Sequence, residues 1–177
     1  MALLSIAGCS AKEPGTAQPS TGAPGTSASS PSGPSSSGNN GSPTAALDPC
    51  SLLDPVALGE FGPFDGGPRA DVKPGARVCN LGRKLMSATD EVLVIGVAVR
   101  DEQGLADTNE TGAGKTEGKV NGRKALQVPD LIQHCLIVLE VTATSRVDVA
   151  ITASDPQQAC KVAGKVADLV EPKLPKG

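Results

Sequence analysis

Some residues in this 177-residue chain have the types and spacing that catalysis requires. His134, the only histidine, is next to Cys135, and a Cys–His pair can act as a nucleophile with its base. Neighbouring residues on one strand point to opposite faces, so direct pairing of these two side chains is disfavoured. If Cys135 is oxidised, it also lacks a thiolate. We therefore interpret His134 as a surface or strand-edge residue without a catalytic role.

Two carboxylate pairs flank an apolar run. Asp90-Glu91 precedes the run and Asp101-Glu102 follows it. Clustered carboxylates can serve as general acid and base in a hydrolase, or they can bind calcium. Because charged side chains at strand ends are usually only solvated, we expect neither a catalytic pair nor a metal site here. A hydrolase that uses these carboxylates stays open as an alternative.

Residues 109–116, Asn-Glu-Thr-Gly-Ala-Gly-Lys-Thr, resemble the end of a phosphate-binding loop. That motif requires glycine where Asn109 stands, and such a loop directly follows its strand. Here residues 101–108 separate the loop from the apolar run. Residues 136–140 could imitate the acidic partner strand of a nucleotide site, but an exported protein meets no nucleotide. We expect a glycine-rich surface loop, with no nucleotide and no other cofactor.

Cys9 ends the sequence Ile6-Ala7-Gly8-Cys9 after an apolar start, and this pattern resembles a bacterial lipobox. Small residues before the cysteine admit the backbone to a signal peptidase, and the thiol accepts a diacylglyceryl group. The short run has no Lys or Arg before it, although a secretory signal begins with a basic region. We therefore expect a truncated start, with a basic segment upstream, and lipidation of Cys9. The alternative is a free cysteine after a chance apolar run.

The other four cysteines form an even set: Cys50, Cys79, Cys135 and Cys160. In an exported domain such a set predicts two disulfides, for which three connectivities are allowed. Zinc ligation is the rival, but it favours close pairs such as Cys-x-x-Cys, which are absent from the sequence. We favour Cys50–Cys79, which would join the segment before the first strand to that strand. The second bond would then be Cys135–Cys160, between a central strand and the terminal helix.

The composition divides the chain into three parts. Residues 1–9 form the signal remnant, residues 10–46 are mostly Gly, Ser, Thr, Pro and Ala, and residues 47–177 carry patterned apolar residues. The middle part cannot bury enough apolar surface to offset the entropy of ordering, which predicts a disordered linker spanning about 35 Å. The last part, of about 130 residues, is long enough for one folded domain.

Asp-Pro pairs and β-branched runs predict the elements of this domain. Because aspartate caps a helix and proline suits its first position, we expect helices from about Pro55 to Gly62 and from Pro156 to about Val170. Strands are expected at residues 77–81, 91–100, 124–128, 134–142 and 146–152, with a hairpin turn at 143–145. This order indicates an α+β fold: a mainly antiparallel sheet with a short N-terminal helix and a C-terminal helix packed on it.

The charge and the aromatic content exclude several classes of partner. The net charge is -3, which argues against nucleic acid and anionic membrane as electrostatic partners. The only aromatic residues are Phe61 and Phe64, too few to form a stacking platform for bases or sugars. A core with so little aromatic volume is also a physical reason to expect the two disulfides.

The ordered motifs of the domain resemble an actinobacterial lipoprotein family known as the domain of unknown function 3558 family. The motifs are Asp48-Pro49-Cys50-x-Leu52-Leu53, Cys79-x-Leu81, Asn121-Gly122-Arg123-x-Ala125, Cys135, Asp155-Pro156-x-x-Ala159-Cys160 and Leu174-Pro175. The resemblance implies an exported, lipid-anchored protein with disulfides, and it implies no reaction. In that family an aromatic residue often stands where this chain has Leu81.

We therefore expect a non-enzymatic binding or interaction module on the outer face of the cell membrane. Its partners would be the membrane, through lipidated Cys9, and an unidentified envelope ligand or protein. The alternatives are a cell-envelope hydrolase and an accessory or sensor domain of a membrane complex. Two convergent carboxylates in a cleft would favour the hydrolase, and an apolar groove between helix and sheet would favour the binding module.

Overall fold

The structure, a computed structural model, describes residues 41–176. Cys9, the signal remnant and most of the predicted linker lie outside the described residues. The described chain forms helices α1 (Pro49–Leu52) and α2 (Pro156–Val170), and strands β1 (Arg69–Lys73), β2 (Ala76–Gly82), β3 (Val94–Arg100), β4 (Thr116–Val120), β5 (Arg123–Pro129), β6 (His134–Thr142) and β7 (Ser145–Thr152). Single 3₁₀ turns span Gly59–Phe61, Leu105–Asp107 and Glu171–Lys173.

The seven strands form one sheet in the order β1-β2-β3-β7-β6-β5-β4. Every neighbouring pair in this order is antiparallel. Only Ala143 and Thr144 separate β6 from β7, so the predicted hairpin is confirmed. The predicted α+β fold, with an antiparallel sheet, a short N-terminal helix and a C-terminal helix, is also confirmed.

Helix α2 packs on one face of the sheet, mainly against β6 and β7. Its buried stripe consists of small and β-branched side chains, Ala159, Ala163, Val166, Ala167 and Val170. The small side chains let the helix lie close to the sheet. Asp155 caps the helix by accepting a hydrogen bond from the Gln158 amide at 2.8 Å, and Pro156 occupies the first turn, as predicted. Of the helices within residues 41–176, none has the length and apolar character needed to cross a membrane.

The first helix differs from the prediction. The helix expected from Pro55 to Gly62 is absent, and α1 instead follows Asp48, whose carboxylate accepts a hydrogen bond from the Cys50 amide at 2.9 Å. The region after Pro55 contains the 3₁₀ turn Gly59–Phe61, and this path places Leu58 and Phe61 in the core. Gly62 ends this turn with a φ of 109°, a value that favours glycine.

Both edge strands are additional to the prediction. β1 and β4 have short polar sequences, Arg-Ala-Asp-Val-Lys and Thr-Glu-Gly-Lys-Val, without a run of β-branched residues. Almost every residue of the two strands is exposed, so neither strand needs an apolar face. Charged side chains also protect a sheet edge from pairing with another chain. Burial periodicity therefore predicts the interior strands but not these two.

Two disulfides join the helical segments to the sheet, and the favoured connectivity is confirmed. Cys50 in α1 bonds Cys79 on β2, with Cα atoms 5.1 Å apart. Cys135 on β6 bonds Cys160 on α2, with Cα atoms 4.9 Å apart. Cys79 and Cys135 belong to the main core and are almost completely buried, and the partly buried Cys50 and Cys160 pack against it. Each disulfide therefore ties an element of the helical layer to a strand beneath it.

Removing either disulfide should destabilise the domain substantially. The bonds close loops with sequence separations of 29 and 25 residues. For loops of this length the chain-entropy model gives roughly 3 to 4 kcal/mol each. We expect urea denaturation of the Cys50→Ala/Cys79→Ala and Cys135→Ala/Cys160→Ala double variants to show losses of this size. A decrease of less than about 1 kcal/mol in the free energy of unfolding of either variant would contradict a stabilising role of that disulfide.

Candidate functional site

The helices cover one face of the sheet, and the opposite face is covered only in part. Residues 101–115, which connect β3 to β4, cross this second face; we call them the covering loop. The Leu105 side chain of the loop packs with Leu126 and Val128 of β5 and Val138 of β6. This small apolar cluster is separate from the main core. The sheet therefore separates a large apolar core on the helical face from a small apolar cluster on the second face.

A buried ion network attaches the covering loop to the sheet. Asp148 on β7 is 2% exposed, and its carboxylate accepts hydrogen bonds from Arg146 Nε at 2.8 Å and Arg100 Nε at 2.6 Å. Arg146, 4% exposed, also donates through Nη1 to the Gly104 carbonyl oxygen at 2.7 Å. A buried charge is costly unless it is paired and hydrogen-bonded. The network therefore favours a covering loop that stays against the sheet.

Gly104 is the point where the covering loop approaches the β6–β7 hairpin most closely. A Cβ atom at this position would lie 1.9 Å from the carbonyl oxygen of Ala143. The Gly104 amide donates a hydrogen bond to the Asp107 carboxylate at 2.8 Å, which closes the adjacent 3₁₀ turn. The loop can adopt this path because glycine has no side chain.

A cleft of about 650 Å³ lies between the covering loop and the β4–β5 hairpin. Its volume is within the range of small-molecule sites in proteins. Leu105, Ala106 and Lys115 line it from the loop. The hairpin contributes Glu117, Lys119, Lys124 and Leu126. A second cavity of about 630 Å³ adjoins residues 41–45, and its lining includes no large apolar side chain. Three further depressions measure about 310, 330 and 300 Å³.

Three lysines border the 650 Å³ cleft. Lys119 on β4 lies directly opposite Lys124 on β5, which places both side chains on the second face of the sheet. Lys115 belongs to the end of the covering loop, and its Nζ donates to the Thr108 carbonyl oxygen at 3.0 Å. Glu117 is the carboxylate in this lining. Positive charge therefore exceeds negative charge around the cleft.

A groove between helix and sheet would have favoured the binding module, but the 650 Å³ cleft does not lie there. The inward side chains of α2, such as Ala163 and Val166, are fully buried against the sheet. The cleft is instead on the other face, beneath the covering loop. The depression of about 300 Å³ that α2 lines with Gly164 and Asp168 has less than half the volume of the cleft on the second face.

The two carboxylate pairs, Asp90-Glu91 and Asp101-Glu102, do not meet in one site. They lie at opposite ends of β3, whose seven residues span roughly 20 Å. Asp90 accepts a hydrogen bond from the Ser87 amide at 2.8 Å, and Glu91 accepts one from the Gln158 side chain at 2.9 Å. These contacts organise the loop before β3 and attach it to α2. The geometry does not place the pairs as acid and base in one active site.

Asp101 has structural partners of its own. Its carboxylate accepts hydrogen bonds from the Thr44 hydroxyl at 2.6 Å and from Arg77 Nη2 at 3.0 Å. Burial alone would raise the pKa of Asp101, but the hydrogen bonds from Thr44 and Arg77 and the charge of Arg77 lower this pKa below its usual value. A general acid needs a pKa near the working pH, so Asp101 suits ion pairing. Thr44, within the predicted linker, is completely buried.

His134 lies at the exposed start of β6 and forms no pair with its neighbour Cys135. Its Nδ1 is 2.8 Å from the Thr152 hydroxyl on β7. Cys135 is oxidised in a disulfide and faces the main core. Within residues 41–176, no group of three or more His, Cys, Asp or Glu side chains has the arrangement of a metal site.

The glycine-rich residues 109–115 belong to the covering loop. They precede β4 and not a helix, so the backbone lacks the strand–loop–helix context of a phosphate-binding loop. Gly112 and Gly114 have φ values of 97° and 84°. Because glycine adopts such values most readily, the backbone of the turn accounts for both glycines. Lys115 contributes to the cleft by position and not through a nucleotide motif.

Sequence reasoning missed the lysines of the cleft, although one signal was available. Asn121 and Gly122, with φ values of 49° and 91°, form a two-residue hairpin turn. Such a turn places residues at equal distances from it opposite each other, which pairs Lys119 with Lys124. By contrast, Leu105 and Lys115 reach the cleft through the long covering loop, which has no periodic pattern.

The fold and the cleft define an α+β domain with two disulfides and a candidate ligand site on the second face of its sheet. The family model described as "Protein of unknown function (DUF3558)" matches residues 4–173. The chain therefore belongs to the DUF3558 family. No curated protein matches the chain, and no solved structure matches it.

Replacing Gly104 with alanine should detach the covering loop from the sheet. The new Cβ would collide with the Ala143 carbonyl, and steric misfits of this kind cost about 1 to 3 kcal/mol of stability. We expect urea denaturation to show this loss and amide hydrogen exchange to accelerate in residues 101–115. Gly164→Ala in α2 is the control: its Cβ would meet nothing within 4 Å, and alanine should stabilise the helix by about 0.5 to 1 kcal/mol. Equal stability of the two variants would contradict the close approach.

Proposed function

We propose that the protein is a lipid-anchored, extracytoplasmic binding module of the cell envelope with no enzymatic activity of its own. The observation that carries this proposal is the cleft of about 650 Å³ beneath the covering loop. It combines the volume of a ligand site with apolar side chains and a charged border, as binding sites commonly do. The separation of the carboxylate pairs along β3 makes the hydrolase the weaker candidate.

Three features support the proposed location. Two disulfides are typical of proteins that fold in an oxidising compartment outside the cytoplasm. Cys9 follows small residues in a lipobox-like sequence. The family match begins at residue 4 and therefore includes this segment and the linker. Lipidation of Cys9 would leave the domain tethered to the membrane through the polar segment that follows this cysteine.

An accessory role in a membrane complex is the second candidate, and one surface feature favours it. The β2–β3 and β5–β6 connections meet the same end of the sheet, because Val94 pairs with Thr152, which pairs with His134. These connections expose large apolar side chains, namely Leu85, Met86, Val92, Leu131 and Ile132. Exposed apolar side chains on neighbouring loops are a common feature of protein contacts.

The anchoring proposal predicts a change of location on loss of the thiol. We expect the Cys9→Ala variant, expressed from its chromosomal locus, to leave the membrane fraction, because the acyl acceptor is gone. Ser10→Ala is the matched control and should remain with the membrane. Globomycin, which blocks lipoprotein signal peptidase, should make the wild-type protein accumulate in its unprocessed form. Membrane association of Cys9→Ala equal to wild type would contradict lipid anchoring.

The binding proposal predicts a ligand in the cleft of protein from its native envelope. Native mass spectrometry of the full chain, released gently from the membrane, should show a bound small molecule that is lost in Ala106→Phe. Ala106 is exposed and lines the cleft, so a phenyl ring there should fill the cleft without disturbing the core. A co-purifying polypeptide would instead support the accessory role. Hydrolysis of an added cell-wall substrate, lost on substitution of the carboxylates, would overturn the non-enzymatic proposal.

A further inference from the structure

The charge of the cleft is opposite in sign to that of the whole chain. The protein has a net charge of -3, yet the cleft lining contains three lysines and one glutamate. A local excess of positive charge attracts anions, and partly desolvated walls strengthen this attraction. The border of the cleft is thus chemically different from the rest of the surface.

The pairing of Lys119 with Lys124 is unfavourable for the domain alone. Like charges directly opposite each other on antiparallel strands destabilise the pair. Lys124 has partial compensation, because its Nζ is 3.8 Å from the Glu140 carboxylate. Among residues 41–176, Lys119 forms no ion pair. An anion bound between the two ammonium groups would remove the repulsion, and local departures from favourable pairing are typical of functional sites.

The apolar part of the cleft is aliphatic. Leu105 and Leu126 belong to the apolar cluster beneath the covering loop, and Ala106 lies beside them. Both phenylalanines, Phe61 and Phe64, pack in the main core on the other side of the sheet. The cleft therefore offers no aromatic ring for stacking a base or a sugar. Its walls suit a saturated or branched hydrocarbon.

We infer that the cleft between the covering loop and the β4–β5 hairpin binds an amphipathic anion, with a phosphate or carboxylate head between Lys119 and Lys124 and an aliphatic body against Leu105 and Leu126. This inference rests on the proposed function and names the class of its ligand. Lys115 holds the covering loop through Thr108 and adds positive charge at the border. Glu117 lies opposite Leu126, two residues before Lys119, so its carboxylate repels an anionic head from that part of the cleft.

The inference is tested by calorimetric titration of the full chain with single-chain probes below their critical micelle concentrations. Dodecyl phosphate and dodecanoate carry the two anionic heads, dodecyl maltoside carries the same tail on a neutral head, and inorganic phosphate lacks the tail. We expect at least one anionic probe to bind about tenfold or more tighter than the maltoside and inorganic phosphate. The better of the two anionic probes identifies the head group. Binding should weaken with added salt, because the lysines are close to the surface.

Matched lysine variants test the assigned contacts. Lys119→Gln and Lys124→Gln should each weaken the anionic probe by about tenfold, which corresponds to the loss of one charge-assisted hydrogen bond. Lys119→Gln should not lower the melting temperature of the free protein, because it removes the repulsion between the two lysines. Lys124→Gln also removes the exposed pair with Glu140, which contributes little to stability. Lys161→Gln, on the exposed surface of α2, is the control and should bind like wild type. Equal weakening in all three variants would overturn the inference.

The outcomes separate this inference from the proposed function. If dodecyl maltoside binds as tightly as the anionic probes, and Ala106→Phe abolishes both, the anionic class is wrong while the cleft remains a binding site. Equal affinity for inorganic phosphate and dodecyl phosphate would overturn the aliphatic part of the inference. If no probe binds and protein from the native envelope carries no ligand, the inference and the binding module both fail.

Discussion

The pairing of Asp148 with Arg100 and Arg146 is the interaction on which the second face of the sheet depends. β7 is the central strand, and its valines face the main core while Asp148 faces the other way. A lone carboxylate at 2% exposure would be costly, so the two guanidinium groups must stay beside it. Arg146 also binds the Gly104 carbonyl, which links this requirement to the path of the covering loop. The cleft is a consequence of where that loop is attached.

The two faces of the sheet are restrained by different kinds of bond. On the helical face, disulfides tie Cys50 to β2 and Cys160 to β6, and they supplement a core built from small and β-branched side chains. On the second face, the covering loop is held by hydrogen bonds from Arg100 and Arg146 and by contacts among a few leucines and valines. The covalent restraint therefore secures the fold, whereas the layer that forms the cleft depends on weaker contacts.

Much of the fold was predictable, because its signals are local. The alternation of Val147, Val149 and Ile151 indicates a strand with one apolar face, and Asp155-Pro156 marks the start of α2. The edge strands β1 and β4 were not predicted, because almost all of their side chains are exposed and their sequences therefore show no apolar periodicity. The short helix was predicted after Asp54-Pro55 but forms after Asp48-Pro49. Both pairs can cap a helix, and the packing of Leu58 and Phe61 in the core distinguishes them.

The candidate site was less predictable than the fold. Local order along the chain indicates the antiparallel α+β plan and the opposition of Lys119 and Lys124 across a two-residue turn. It favours one of the three allowed disulfide connectivities, and the structure confirms that one. The path of residues 101–115 over the second face is decided by contacts between distant residues, such as Gly104 with Arg146. Periodicity reports only which side chains of one element are buried. It cannot report which loop will cover the other face, because that choice depends on charges and close approaches between residues far apart in the sequence.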